Sequence, residues 1–150
     1  MRIIIGDDDR MMILSYRRLL REIEIDEVSE SKELVEKIKQ SNYDLIITDN
    51  DYEDGIENGG IEAIKDIRQF NQTTPILLQS GELNEEKRKI ALEVGANYVL
   101  EKGELSELMK IIGEYRKWLI FTNQNIKTRR HLDKTNVRRT EKEKWHKIKY

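Results

Sequence analysis

Four stretches of the chain end on groups that can do chemistry. The apolar run Ile3-Ile4-Ile5-Gly6 stops at three acids, Asp7-Asp8-Asp9. In YDLIITDND, the run from Asp44 to Thr48 stops at Asp49, and Asp51 follows two places later. Pro75–Gln79 leads into Ser80-Gly81, and Asn97–Leu100 into Glu101-Lys102. Carboxylates brought together repel and raise each other's pKa values, so something cationic must offset them. A hard divalent ion with oxygen ligands, Mg²⁺ above all, is the natural candidate. A metal and a lysine neutralise phosphate oxygens, a hydroxyl donates a hydrogen bond, and a carboxylate can act as nucleophile. The set therefore suits phosphoryl chemistry.

The elements that must position these groups follow from periodicity. Strands are expected over Arg2–Gly6, Ile23–Val28, Asp44–Thr48, Pro75–Gln79 and Asn97–Leu100. Between them, Met12, Tyr16, Leu19, Leu20 and Ile23 recur at helical spacing. Leu34, Val35 and Ile38 repeat the pattern, as do Ile61, Ile64 and Ile67, and then Ile90, Ala91 and Val94. A last stripe runs Leu105, Leu108, Met109, Ile112, Tyr115 and Leu119, with Tyr115 and Trp118 offering a partner or dimer surface on its other side. Ser29 and Asn84 sit where N-caps are wanted and Gly95 where a C-terminal glycine is wanted. The order is (βα)5, a doubly wound parallel sheet with helices on both faces. With strand order 2-1-3-4-5, the first and third strands are neighbours. Their acids then converge beyond the carboxyl edge of the sheet, where open α/β folds bind ligands.

Composition sets the outer limits. The chain has 150 residues, 37% hydrophobic and 37% charged, enough for one modest core. It has no cysteine, which excludes a disulfide framework and a thiolate metal site. No apolar run is long enough to span a membrane, and the N-terminus lacks a signal-peptide pattern, so the expectation is a soluble, cytoplasmic protein. The net charge of −2 is unevenly spread. Residues 1–121 carry 17 Lys and Arg against 26 Asp and Glu, a net of −9, while residues 122–150 carry 10 against 3, a net of +7. That split predicts an acidic domain over 1–121 and a basic C-terminal extension over 122–150. The extension is too small and too polar to be an independent DNA-binding domain. It is read as a solvated extension or a basic arm folded on the acidic body, with nucleic acid as the alternative partner for its Arg and Lys residues. His131 and His146 lie in it without a ligand set.

Taken together, the acids after strand 1, Asp49, Ser80 and Lys102 resemble the pattern of response-regulator receiver domains of two-component signalling. TTPILLQSG and ALEVGANYVLEKG are similar to family stretches in wording and spacing. The resemblance covers about residues 1–121 and implies a flavodoxin-like fold. It also implies that Asp49 is the phosphoacceptor, charged by a histidine kinase or phosphotransfer protein with Mg²⁺ as cofactor. Asp8 and Asp7 would then bind the metal with Asp49, and Asp51 would add its backbone carbonyl. Ser80 would bond the phosphoryl group, and Lys102 would pair first with the acids and then with phosphate. Output would pass to a downstream protein, or to a second copy in a homodimer, through the face of helix 4, strand 5 and helix 5. Such a domain is a regulatory switch rather than an enzyme.

Three features depart from the family pattern. The loop NDYEDGIENGG lacks proline and is long, Gly103 replaces the usual proline after the lysine, and Val99 holds the place of a switching aromatic. The loop and Val99 leave open the alternative of a scaffold that is never phosphorylated, against which the intact acid, serine and lysine set argues.

Overall fold

The computed structural model describes residues 1–128, with side chains through residue 124. Most of the basic extension, with His131 and His146, lies outside the described residues. The elements run β1 (Arg2–Gly6), α1 (Arg10–Leu19), β2 (Glu24–Val28), α2 (Ser31–Gln40), β3 (Leu45–Asp49), α3 (Gly59–Phe70), β4 (Ile76–Ser80), α4 (Glu85–Glu93), β5 (Tyr98–Glu101) and α5 (Leu105–Thr128). All strand pairs are parallel, and the sheet order is β2-β1-β3-β4-β5. The (βα)5 architecture and strand order expected from the sequence are those observed. By its internal contacts the chain divides into two compact units, Met1–Leu105 and one beginning at Ser106.

In the first unit the central strands β3 and β4 are buried along their whole length, and β1 is buried after Arg2. They read as apolar runs because helices cover both of their faces. One face carries a continuous core in which Ile4, Ile46, Ile76, Leu78 and Val99 meet Leu34, Val35 and Ile38 of α2, Ile61, Ile64 and Ile67 of α3, and Ala91 of α4. Tyr16 of α1 lies on the opposite face, where its hydroxyl donates to Gln79 of β4. The edge strand β2 is polar. Arg2 on β1 pairs with Glu24 and Asp26, and the Tyr43 hydroxyl donates to Asp26 at 2.7 Å. Charges of this kind keep an edge from pairing with another chain.

Several local expectations need correction. β3, β4 and β5 each begin and end one residue later than their apolar runs suggest, because the parallel ladder extends to Asp49↔Gln79 and Ser80↔Glu101. β2 starts at Glu24, since Ile23 closes a turn onto Leu20. α1 buries Ile13 and Tyr16, and Leu20 just past its end is buried too, while Leu19 is 41% exposed, so the inward face is turned by about one residue from the expected stripe. Ser29 does not cap α2. The helix begins at Ser31, whose amide and hydroxyl both donate to Asp54 from the distant β3–α3 loop, at 3.0 and 2.6 Å.

Asn84 caps α4 as expected, accepting from the Lys87 amide at 2.8 Å. Gly95 takes φ +113 and ends that helix, with the Ala96 amide reaching back to the Ala91 carbonyl.

α5 continues past Thr122, where the charge balance changes, to Thr128. Leu108, Ile111, Ile112 and Tyr115 form its buried stripe. Tyr115 is only 1% exposed and stacks on Trp118 at 5.2 Å, so it belongs to the buried stripe and not to a partner surface. Among the described residues, no helix is long and apolar enough to cross a membrane.

Candidate functional site

The site lies in the first unit, at the carboxyl ends of β1, β3, β4 and β5. Asp7 follows β1 directly; its amide donates to the Val28 carbonyl, and its carboxylate accepts from the Asp9 amide at 2.9 Å. Asp49 is the last residue of β3 and is 2% exposed. Lys102, just past β5, is held by its own amide on the Ser80 carbonyl at 2.9 Å. Its Nζ lies 2.7 Å from Asp49 Oδ2 and 3.2 Å from Asp7 Oδ1. The other Asp49 oxygen accepts from the Asp51 amide at 3.2 Å. A rigid parallel sheet thus presents one buried carboxylate between an ammonium and a second acid.

The electrostatics follow from burial. Asp7 is 4% exposed, and loss of solvent raises its pKa from 3.8 to about 6, with the Asp49 charge adding to the rise. Burial alone would lower the Lys102 pKa. The hydrogen bond and charge of Asp49, with the charge of Asp7, outweigh that effect and hold it above its ordinary value.

Of the five acids expected to converge, three do so. Oxygens of Asp7, Asp8 and Asp49 lie within 4.8 Å of one another. This all-oxygen set, with two buried members and one half-exposed, has the donor chemistry of a hard divalent cation. The residues present therefore fit Mg²⁺. Asp9 instead caps α1, accepting from the Met11 and Met12 amides. The Asp51 side chain turns to the other side, where it accepts from Ser80 Oγ at 2.7 Å and lies 3.7 Å from Lys87 Nζ. Asp8 accepts from the Glu53 amide at 2.7 Å, which ties the β3–α3 loop to the acid cluster.

Three participants were not singled out from the sequence. Lys87 reaches Asp51 from α4. Gly60 lets α3 approach the backbone of the site, since a Cβ there would fall 2.0 Å from the Asp49 carbonyl oxygen. Tyr52, in the acidic β3–α3 loop, is 6% exposed. The Gly59-Gly60 pair was the one available signal of such a close approach. At the departures from the family pattern, Val99 is 5% exposed and its carbonyl accepts from Arg88 Nη1 at 2.7 Å. Gly103 takes φ +100.

Comparison with known proteins agrees with this fold. The family model for the response regulator receiver domain matches residues 3–113. Autoinducer 2 sensor kinase/phosphatase LuxQ of Vibrio parahaemolyticus is 37% identical over 81 residues, which is 53% of this chain and 9% of that protein. The chain thus spans about a tenth of the curated relative it matches. A two-component response regulator from Clostridium difficile superposes with a TM-score of 0.69 at 27% identity, covering 77% of this chain and 95% of that one. A putative response regulator from Chloroflexus aurantiacus superposes at 0.67 with 26% identity, covering 76% and 95%. With the family model spanning most of its length and the fold in agreement, this chain belongs to the response regulator receiver domain family.

Proposed function

We propose that Asp49 accepts a phosphoryl group from a phosphohistidine of a histidine kinase or phosphotransfer protein, and that the modified site switches protein contacts. The observation that carries this reading is the environment of Asp49, a buried strand-end carboxylate with Lys102 Nζ 2.7 Å away and two further acids at its side. In the transfer, an Asp49 carboxylate oxygen forms a bond to phosphorus while the phosphorus–nitrogen bond of the donor breaks. The departing imidazole nitrogen keeps the bonding pair and takes up a proton.

Asp7, Asp8 and Asp49 would hold Mg²⁺, with the Asp51 carbonyl as a further ligand, and the bound ion would supply positive charge to the phosphoryl oxygens. Lys102 follows the charge, exchanging part of its contact with the acids for a phosphoryl oxygen. The Ser80 hydroxyl, now on Asp51, re-aims to donate to the same group. One new anionic group thus biases two arrangements of the segments after β4 and β5.

The test is the intact mass of wild type and Asp49→Asn after incubation with a small acyl phosphate, with and without Mg²⁺. One phosphoryl increment that needs Mg²⁺ and disappears in the variant is expected. No increment in the wild type, from either the acyl phosphate or a phosphohistidine protein, would favour a scaffold that is never modified.

A further inference from the structure

Tyr52 lies in the middle of the acidic loop, yet its side chain is buried. A Cβ at Gly6 would fall 2.1 Å from the Tyr52 hydroxyl oxygen, and one at Gly59 would fall 3.3 Å from the ring. The loop has therefore folded its tyrosine inward over the end of β1, into space that only a glycine at position 6 leaves open. Gly6 and Thr48 are register partners on β1 and β3. The hydroxyl that fills the space over Gly6 is thus brought to Thr48 Oγ1, 2.9 Å away.

Thr48 Oγ1 also lies 2.9 Å from the Asp49 carbonyl oxygen, to which it donates. A threonine hydroxyl has one proton. Since that proton goes to Asp49, Tyr52 must be the donor to Thr48. Burial raises the Tyr52 pKa, which keeps the proton on the phenol. The result is a directed chain, from Tyr52 to Thr48 to the main chain of Asp49. From the other side, α3 closes on the same carbonyl, with no room for a Cβ at Gly60. The Asp49 carbonyl is thus approached from two sides, by the hydroxyl of the preceding Thr48, itself held by Tyr52, and by Gly60 at the start of α3.

We propose that Tyr52 and Thr48 are positioning residues for Asp49: their hydroxyl chain fixes the Asp49 peptide and, through it, the direction in which the carboxylate meets the incoming phosphorus. The inference rests on the reading of Asp49 as phosphoacceptor. Phenylalanine at 52 and valine at 48 would fill the same volume without burying hydroxyls, and buried hydroxyls cost free energy unless they are bonded. A plug for the space over Gly6 needs only the ring; a hold on the Asp49 carbonyl needs both hydroxyls.

The experiment measures the rate of phosphoryl incorporation from a small acyl phosphate with Mg²⁺, over a range of donor concentrations. Tyr52→Phe and Thr48→Val are each expected to lower the maximal rate about tenfold, as small misplacements of a reacting group do, with the half-saturating donor concentration unchanged. Thr48→Ser, which keeps the hydroxyl, is expected to restore most of the rate. The double variant is expected to be no slower than either single one, because both break one chain. Wild-type rates in Tyr52→Phe and Thr48→Val, a serine variant as slow as the valine, or losses that multiply in the double variant would each overturn the proposal. Failure of the wild type to take up phosphate would overturn the phosphoacceptor reading with it; a labelled wild type with unaffected variants overturns this inference alone.

A second measurement tests the packing. Gly6→Ala is expected to lower the thermal midpoint, and adding Tyr52→Phe to return most of the loss. Removing the phenol oxygen leaves contacts of 3.2 Å to Leu34 and 3.3 Å to the ring, which a small shift relieves. No recovery in that pair would mean that Tyr52 does not sit over Gly6, and the proposal would fall.

Discussion

The two halves of the site are held by opposite means. The acid half, at the ends of β1 and β3, is fixed by the scaffold. The Thr48 hydroxyl and the first turn of α3 close on the Asp49 carbonyl. Glu53 is tied to Asp8, and Asp54 is tied to the start of α2. In the other half, at the ends of β4 and β5, the backbone is paired but the functional side chains rest on the acids themselves. The Ser80 hydroxyl rests on Asp51, and the Lys102 ammonium on Asp49 and Asp7. The glycines that follow, Gly81 and Gly103, have open space where a Cβ would stand. Fixed charges beside responsive partners are what a switch requires. On the proposed reading, charge added at Asp49 leaves the acid half in place and draws the hydroxyl and lysine toward the new field.

The largest expected effect tests the rigid half. Gly60→Ala should destabilise the fold by about 3 kcal/mol, the upper range for overpacking, because its Cβ would meet backbone atoms that cannot yield. Chemical denaturation measures this directly, and a loss below about 1 kcal/mol would mean that the close approach to Asp49 is not rigid.

Next comes the buried charge that the rigid half sustains. Without divalent cation, Asp7 has a folded pKa of about 6 against an ordinary 3.8. The folded state therefore binds this proton more tightly than the unfolded chain. Its stabilising contribution is complete below about pH 4 and is lost as pH rises through 6. The loss is on the order of 2–3 kcal/mol. Asp7→Asn should flatten that part of the pH–stability curve and raise stability at neutral pH, while the stabilisation gained on adding Mg²⁺ shrinks. Urea midpoints near pH 4.5 and 7 in both proteins check it; a wild type no less stable at the higher pH would contradict the assignment.

The smallest effect belongs to the responsive half. Gly81→Ala should change stability by no more than about 0.5 kcal/mol, since nothing stands within 4 Å of its Cβ position. A loss comparable to that of Gly60→Ala would erase the distinction between the halves.

What the sequence reveals follows the same division. Asp7, Asp49, Ser80 and Lys102 were legible because each ends a short apolar run, and a parallel sheet brings such ends together. The Asn84 and Gly95 caps were legible because their partners lie within a few residues. The β3–α3 loop was not. Its conformation depends on partners far away in sequence: Asp54 on Ser31, Glu53 on Asp8, and Tyr52 over Gly6. A polar, acidic stretch gives no periodic sign of a buried tyrosine. Ser29 looked like a cap on local grounds, but Asp54 satisfies α2 from 23 residues away. Asp51 looked like one acid among several, yet its side chain pairs with Ser80 and Lys87.

The central claim is that Asp49 carries the phosphoryl group, and it is tested most directly by locating the modified residue. Borohydride converts an aspartyl phosphate to homoserine, which peptide mapping can place along the chain. After incubation with a small acyl phosphate and Mg²⁺, homoserine at position 49 and at no other acid of the site is the predicted result. Conversion at position 7, 8 or 51 instead would contradict the account.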